Sequence, residues 1–359
     1  MTASEPGRRE FLAAATRAAV AASVAGPVLS ACAGERRPPA AGLEPELNIY
    51  NWFDYIGPDT IAGFEQEFGV RVTYDTYESN EEMLGKLMAG ATGYDLVVPT
   101  GYQLPLLRER GLVARLDRSK LTNWDNLMPL FQRTPADPGG EYGVPWQWGI
   151  TGIAWRADLL SAAPESWGAF LDGSASGRAT MLDDGREVLG AMLRYRGHSL
   201  NSTDPAELAG ARQDAIKAKA DLLAFMTLAL KGQLASGDVA LAQCWNGDAR
   251  QAQRENPNIA FTLPREGSLI FNDYMVLLRD APHPAAATAF LNYILRPDVG
   301  AAISEETGYG TPNRAAQERM RDPIPYPTPD ELARLEYQRD LGAATALWDR
   351  IWTEVKAAA

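Results

Sequence analysis

Beyond about residue 46, blocks of hydrophobic and polar positions switch between a two-residue and a 3.6-residue period. Glu46 to Trp52 reads as a β-strand. Pro58 opens and Gly69 closes a helical segment, and its apolar positions Ile61, Phe64 and Phe68 share one face because residues three and four apart lie on the same side of a helix. Val70 to Thr76 returns to period two, Ser79-Asn80-Glu81-Glu82 has the spacing of a capping box for a helix through Leu87, and Tyr94 to Val98 is a short buried strand. This βαβαβ order predicts an α/β fold with a parallel sheet and ligand-facing loops at the strand carboxyl ends.

A Pro/Gly-rich stretch, Thr134 to Gly143, precedes Val144-Pro145-Trp146 and the apolar strand Gly149 to Trp155, and a first crossing between two lobes is placed there. A second series follows, with strands at Ala179 to Leu182, Asp238 to Trp245, Ile259 to Leu263 and Tyr274 to Leu278. Helices are expected at Glu187 to Tyr195, Pro205 to Lys231, Pro284 to Leu295 and Glu331 to Lys356. No internal repeat is visible.

Residues 1–31 differ from everything after them. An Arg8-Arg9 pair, Phe11-Leu12 and an Ala/Val-rich stretch from Ala13 to Leu29 read as an export signal, and Gly26 and Pro27 interrupt the apolar run too early for a spanning helix. The segment Gly7-Arg8-Arg9-Glu10-Phe11-Leu12 resembles a twin-arginine motif, with Gly7 where Ser or Thr is usual. Leu29-Ser30-Ala31-Cys32 resembles a lipobox, in which the Cys32 thiol takes up a diacylglycerol and anchors the chain by ~0.8 kcal/mol per buried methylene. Residues 32–46, rich in Pro, Ala and Gly, then form a semi-extended tether.

The 359 residues suit two domains or one large one, and 46% hydrophobic residues exclude wholesale disorder. With 34 Lys plus Arg against 46 Asp plus Glu, the net charge of −12 speaks against a nucleic-acid partner and suits a cationic one. Two histidines, His198 and His283, and two cysteines, Cys32 and Cys244, leave almost no material for a zinc centre or a disulfide framework, so neither metal nor cofactor is expected. Cys244 reads as a small buried strand residue.

Several segments together resemble one family. Tyr50-Asn51-Trp52-Phe53-Asp54-Tyr55, Tyr77-Glu78-Ser79-Asn80, Tyr94-Asp95-Leu96-Val97-Val98-Pro99, Trp245-Asn246-Gly247 and Gly308-Tyr309-Gly310-Thr311-Pro312-Asn313 are similar to the periplasmic spermidine/putrescine-binding proteins of ABC importers. Leu182-Asp183-Asp184-Gly185-Arg186-Glu187-Val188 and Leu295-Arg296-Pro297-Asp298-Val299 fit the same family and keep its order. The resemblance implies a two-lobe periplasmic-binding-protein type II fold with interlobe crossover strands, with residues 47–149 plus 273–317 as lobe 1 and 150–272 plus 318–359 as lobe 2. It further implies a monomeric receptor that closes on a polyamine, spermidine or putrescine, and delivers it to membrane permease subunits from the periplasm or cell surface.

A polyamine is a chain of methylenes punctuated by ammonium groups, so its receptor needs carboxylates at the ammonium positions and flat apolar walls between them. Carried over residue by residue, the resemblance assigns ligand contact to Trp52, Asp54, Tyr55, Thr100, Tyr102, Asp184, Glu187, Trp245, Asp248, Phe271, Asp273, Tyr309 and Gln338. Phe53 stands where family members have Ser or Thr, and Phe271 where spermidine binders have Trp. Asp184 and Glu187 also have the spacing of an N-cap and its N3 partner, and Asp54 could cap the helix entered at Pro58. Asp248 matches an acidic position of putrescine binders, whereas Asp184 with Glu187 and the TGYGTPN segment favour the longer amine, so the sequence leaves the amine open.

Three rivals stand beside this reading, one of them a sensor subunit that binds polyamine without transport, which this chain alone does not separate from the receptor. A receptor of the same fold could carry another cationic or polar solute. An exported hydrolase could use Asp184 with Glu187, or Asp54 with Asp273, as an acid/base pair, although no nucleophile motif or matched metal set accompanies them.

Overall fold

The computed structural model describes residues 37–90 and 93–358. The export signal of residues 1–31, with its twin-arginine motif, and the lipobox Cys32 lie outside the described residues. The strands are β1 (Glu46–Trp52), β2 (Arg71–Tyr77), β3 (Leu96–Val97), β4 (Gly143–Arg156), β5 (Ala179–Met181), β6 (Leu222–Phe225), β7 (Leu241–Trp245), β8 (Ile259–Thr262), β9 (Ser268–Leu277) and β10 (Leu335–Glu336). They hydrogen-bond in the order β2-β1-β3-β9-β4-β7-β5-β6, with β8 on β4 and β10 on β9.

The first half is the expected βαβαβ unit: β1 pairs parallel with both β2 and β3. Pro58–Phe68 connects β1 to β2 as a helix closed by Gly69 in the left-handed conformation (φ 70°). Its Phe64 packs with Leu47, Ile49, Leu96, Phe290 and Leu291 in one apolar core, where each fully buried large side chain contributes about 1.5–3 kcal/mol. Asp95 is fully buried and ties this core together. Its carboxylate accepts the Asn48 amide at 2.7 Å and the His283 amide at 2.6 Å, so it joins β1 to the start of the Pro284–Ile294 helix. The second half has the parallel strands β6, β5 and β7, packed by helices Gly185–Tyr195, Pro205–Asp221 and Thr345–Ala357 around Met181, Val188, Met192, Leu208 and Trp348.

Two long antiparallel strands run through both halves. β4 pairs with β9 over Gly143 to Ile150, and its carboxyl-terminal part then pairs with β7 and β8. The β4/β9 register shifts between Pro145 and Trp148, leaving a bulge at Trp146 and Gln147 that bends the sheet where one half passes into the other. Both strands are longer than their apolar cores suggest, because almost every residue is buried and no alternation marks their ends.

Two expected helices are broken. In the Pro205 to Lys231 stretch the helix stops at Asp221, Leu222–Phe225 adds β6 to the edge of β5, and a new helix runs Leu230–Ser236. Helical propensity favours continuation, but edge pairing with β5 wins. In the Glu331 to Lys356 stretch Leu335–Glu336 pairs with β9, Gly342 takes a positive φ of 52°, and the final helix begins at Thr345. The helix Pro297–Thr307 closes on Gly308, whose φ of 77° is the left-handed cap that turns the chain into Tyr309.

Candidate functional site

The carboxyl ends of β1, β3 and β7 converge with the middle of β9 on one cleft of about 780 Å³ of free space including its mouth. Twelve of the thirteen residues singled out from the sequence line it, so segments hundreds of residues apart meet in one place. Tyr102 is the exception. It lies behind the cleft and lines a separate hollow, with the Arg186 guanidinium 5.5 Å from its ring centroid.

From the first half come Trp52, Asp54, Tyr55 and Thr100. The Trp52 indole donates to the Val98 carbonyl at 2.8 Å and packs on Tyr77, which fixes its plane at the end of β1. Asp54 has φ 55° and is the one non-glycine residue in the left-handed region among the described residues. It does not cap the following helix, whose N-cap is Gly57; it pairs instead with Lys231. Phe53 beside it is 54% exposed at the mouth. Thr100 is held by Asn80, whose amide group both donates to its hydroxyl and accepts from its backbone N–H at 3.2 Å.

The second half supplies Asp184, Glu187, Trp245 and Asp248. Asp184 caps the Gly185–Tyr195 helix, accepting the Arg186 amide at 2.7 Å and the Glu187 amide at 3.1 Å. Burial pushes its carboxyl above the ordinary aspartate range against these bonds. Glu187, 6% exposed, accepts the Thr151 hydroxyl at 3.1 Å and the Trp245 indole N–H at 2.9 Å on one oxygen. Desolvation, and then the charge of Asp184, raise its pKa. Asp248, in the first turn of the Asn246–Glu255 helix, accepts the Tyr309 hydroxyl at 2.9 Å, and burial raises it too.

β9 crosses between the halves and presents Leu269, Phe271 and Asp273 to the cleft. Asp273 is 4% exposed and accepts the Tyr55 hydroxyl at 2.8 Å on one oxygen, while its other oxygen is buried without a hydrogen-bond partner. Desolvation raises its pKa to about 7 against the opposing effect of the Tyr55 and Thr100 hydroxyls. The ring of Tyr309 stands edge-on to Tyr55 at 5.0 Å and 6.1 Å from Phe271, forming an aromatic wall beside that carboxylate. Gln338, on the chain after β10, completes the lining.

The sequence reading missed Asn80, Thr227, Leu228, Lys231 and Leu269 in the lining. Lys231 carried no local signal, because a Lys within an expected helix reads as solvated. Among the described residues the cleft thus holds five carboxylates, Asp54, Asp184, Glu187, Asp248 and Asp273, against one ammonium, between aromatic faces. Such a lining can bind a flexible organic cation, since charge meets carboxylate and methylenes meet rings. Among the described residues no group of three or more His, Cys, Asp and Glu could hold a metal ion, and no helix is long and apolar enough to cross a membrane.

Comparison with known proteins gives a consistent picture. Residues 59–329 match the family described as bacterial extracellular solute-binding protein. The spermidine/putrescine-binding periplasmic protein of Escherichia coli is 35% identical over 318 residues, covering 87% of this chain and 91% of that protein. The putrescine-binding periplasmic protein PotF of the same organism is 37% identical over 345 residues, covering 88% of this chain and 92% of the relative. Among solved structures, a spermidine/putrescine ABC transporter protein of Listeria monocytogenes superposes with a TM-score of 0.84 at 33% identity, covering 88% of this chain and 99% of that one. The TpPotD lipoprotein of Treponema pallidum superposes with a TM-score of 0.79 at 31% identity, covering 86% and 99%.

Proposed function

Since the chain belongs to the bacterial extracellular solute-binding proteins, we propose that it is the extracytoplasmic polyamine receptor of an ABC importer, taking a linear amine into the cleft between its halves. The observation that carries this reading is Asp273. A carboxylate buried to 4% exposure, with one oxygen unpartnered and aromatic rings beside it, is costly unless a cation completes it. Relatives named for spermidine and putrescine support the same ligand class.

The division of labour follows the elements. Trp52, Asp54, Tyr55 and Thr100 act from lobe 1, and Asp184, Glu187, Trp245 and Asp248 from lobe 2, with lobe bounds at 47–149 plus 273–317 and 150–272 plus 318–359. Gripping one ligand from both lobes favours a closed form, because only that form lets both sets touch the same cation. The role is binding and not hydrolysis: Asp184 is committed to a helix cap, and Glu187 to Thr151 and Trp245, which supports a positioning role for that pair. Before this domain, Cys32 serves as the lipid attachment point, and the tether is shorter than the expected 32–46: Ala40 already donates to the Phe68 carbonyl at 2.8 Å, Glu44 accepts the Ala286 amide at 2.8 Å, and Glu46 opens β1. A lipoprotein among the structural relatives supports that arrangement.

Calorimetric titration of the mature chain with putrescine, cadaverine, spermidine and spermine tests the central reading. Saturable heat with at least one amine, weakening as salt rises, is the expected result. Absence of heat and of thermal stabilisation with all four overturns it.

A further inference from the structure

Lys231 extends from the Leu230–Ser236 helix of the second half and donates to the Asp54 carboxylate of the first, 177 residues away in sequence. Its ammonium also donates to the Gln251 side-chain oxygen at 2.8 Å, and the Gln251 amide in turn donates to the Thr307 carbonyl at 2.6 Å. The side chain is 21% exposed and lines the same cleft as the five carboxylates. Asp248 lies within its electrostatic reach, since the charge of Lys231 opposes the effect of burial on that carboxyl.

This end of the cleft thus already has the chemistry of an occupied ammonium position: a primary ammonium, two aspartates and a fixed amide oxygen. Asp54 reaches it from a backbone at φ 55°, a conformation that non-glycine residues rarely adopt and that persists where the surroundings hold it. We propose that Lys231 is a resident cation of the site, a specificity-determining residue that fills one ammonium position and leaves the cleft to amines with fewer charges, diamines ahead of spermidine and spermine. The proposal rests on the polyamine reading.

Competition at Asp54 supplies the mechanism. A third ammonium entering there must either displace Lys231, leaving a partly buried cation without its partner, or sit against it as a like charge, and both weaken binding. A diamine avoids the conflict by taking Asp273 at one end and the carboxylates of the second half at the other.

The test is calorimetry with putrescine and spermidine on the parent chain, Lys231→Met and Lys231→Arg, each first shown to melt cooperatively without ligand; Lys231→Gln replaces the Met variant if that one fails to fold. The parent is expected to bind putrescine more tightly than spermidine. Removing the charge should move the ratio of the two dissociation constants at least tenfold toward spermidine, whereas Lys231→Arg should stay closer to the parent. A shift below tenfold, or an Arg variant that moves as far as the uncharged one, overturns the role of Lys231 while leaving the receptor reading intact. No heat from either amine, or from cadaverine and spermine, in the parent overturns the receptor reading and this inference together.

Discussion

Trp245 donates its indole N–H to the Glu187 carboxylate at 2.9 Å, so the aromatic wall of the second half and its most buried cleft carboxylate position each other. Wall and charge are therefore not independent here. Replacing Trp245 with Phe keeps a ring but removes the donor to a buried acceptor, so the fold should lose about 1.5 kcal/mol of stability, and polyamine affinity should fall as Glu187 loses the contact that fixes its position. Trp245→Leu forfeits both the bond and the cation–π face and should cost about 2–3 kcal/mol. Calorimetry on the two variants checks this; equal affinities for Trp245→Phe and the parent would show that the bond to Glu187 plays no part in binding.

Asp273→Asn keeps the shape of the site and removes its charge. With its second oxygen buried and unpartnered, the carboxylate should pair a ligand ammonium directly. Losing one partner of a buried pair costs on the order of 3 kcal/mol, more than a hundredfold in affinity. If Asp273→Asn binds polyamine as tightly as the parent, Asp273 is a structural acid.

The same residue predicts a pH dependence. Its carboxyl titrates near pH 7 in the ligand-free fold and near 3.8 when ordinary, so between those values the folded chain holds the proton and the unfolded chain does not. Its contribution to stability is complete below about pH 4 and is lost as pH rises through about 7, by at most on the order of 4 kcal/mol. The ligand-free melting temperature should fall between pH 5 and pH 8, and Asp273→Asn should flatten that fall. Binding runs the other way. A cation prefers the ionised carboxyl, so affinity should increase up to about pH 7 and binding below that pH should release protons, measurable as binding heats that differ between buffers of different ionisation enthalpy. Heats independent of buffer at pH 6 would remove Asp273 from the linkage.

Gly247 lies under the ring of Tyr309, and a Cβ at that position would run into the ring. Gly247→Ala should therefore push Tyr309 aside, break its bond to Asp248 and weaken binding by tenfold or more, with about 1–3 kcal/mol of lost stability. Unchanged affinity in a folded Gly247→Ala protein would mean that Tyr309 is dispensable.

Cys32→Ala should release the protein from membranes, because a diacylated N-terminus is the membrane attachment proposed for the processed chain. Fractionation of cells expressing the variant tests this, and an unchanged membrane-bound share counts against lipidation at Cys32.

Much of this was legible in the sequence because it is local. Asp184 announced its cap by the spacing to Glu187, and the strand–helix order of residues 46–98 follows from periodicity. What escaped depends on partners distant in the chain. The β6 segment Leu222–Phe225 looks helical until β5 is beside it. The ends of β4 and β9 are hidden because burial on both faces erases alternation. Lys231 meets Asp54 only after the two halves come together, and no local pattern foretells that pair.

β9 also works as a ruler. Leu269, Phe271 and Asp273 face the cleft at alternate positions, whereas Ile270, Asn272 and Tyr274 line the hollow behind it. Successive cleft-facing side chains on an extended strand stand roughly 6.8 Å apart, so the wall at Phe271 and the charge at Asp273 are graduated by the pitch of the backbone. A ligand anchored at Asp273 is thus measured against fixed marks. On the proposed polyamine reading, an extra methylene would shift every later ligand atom along this scale, and length would be sensed through the strand without any side chain having to change.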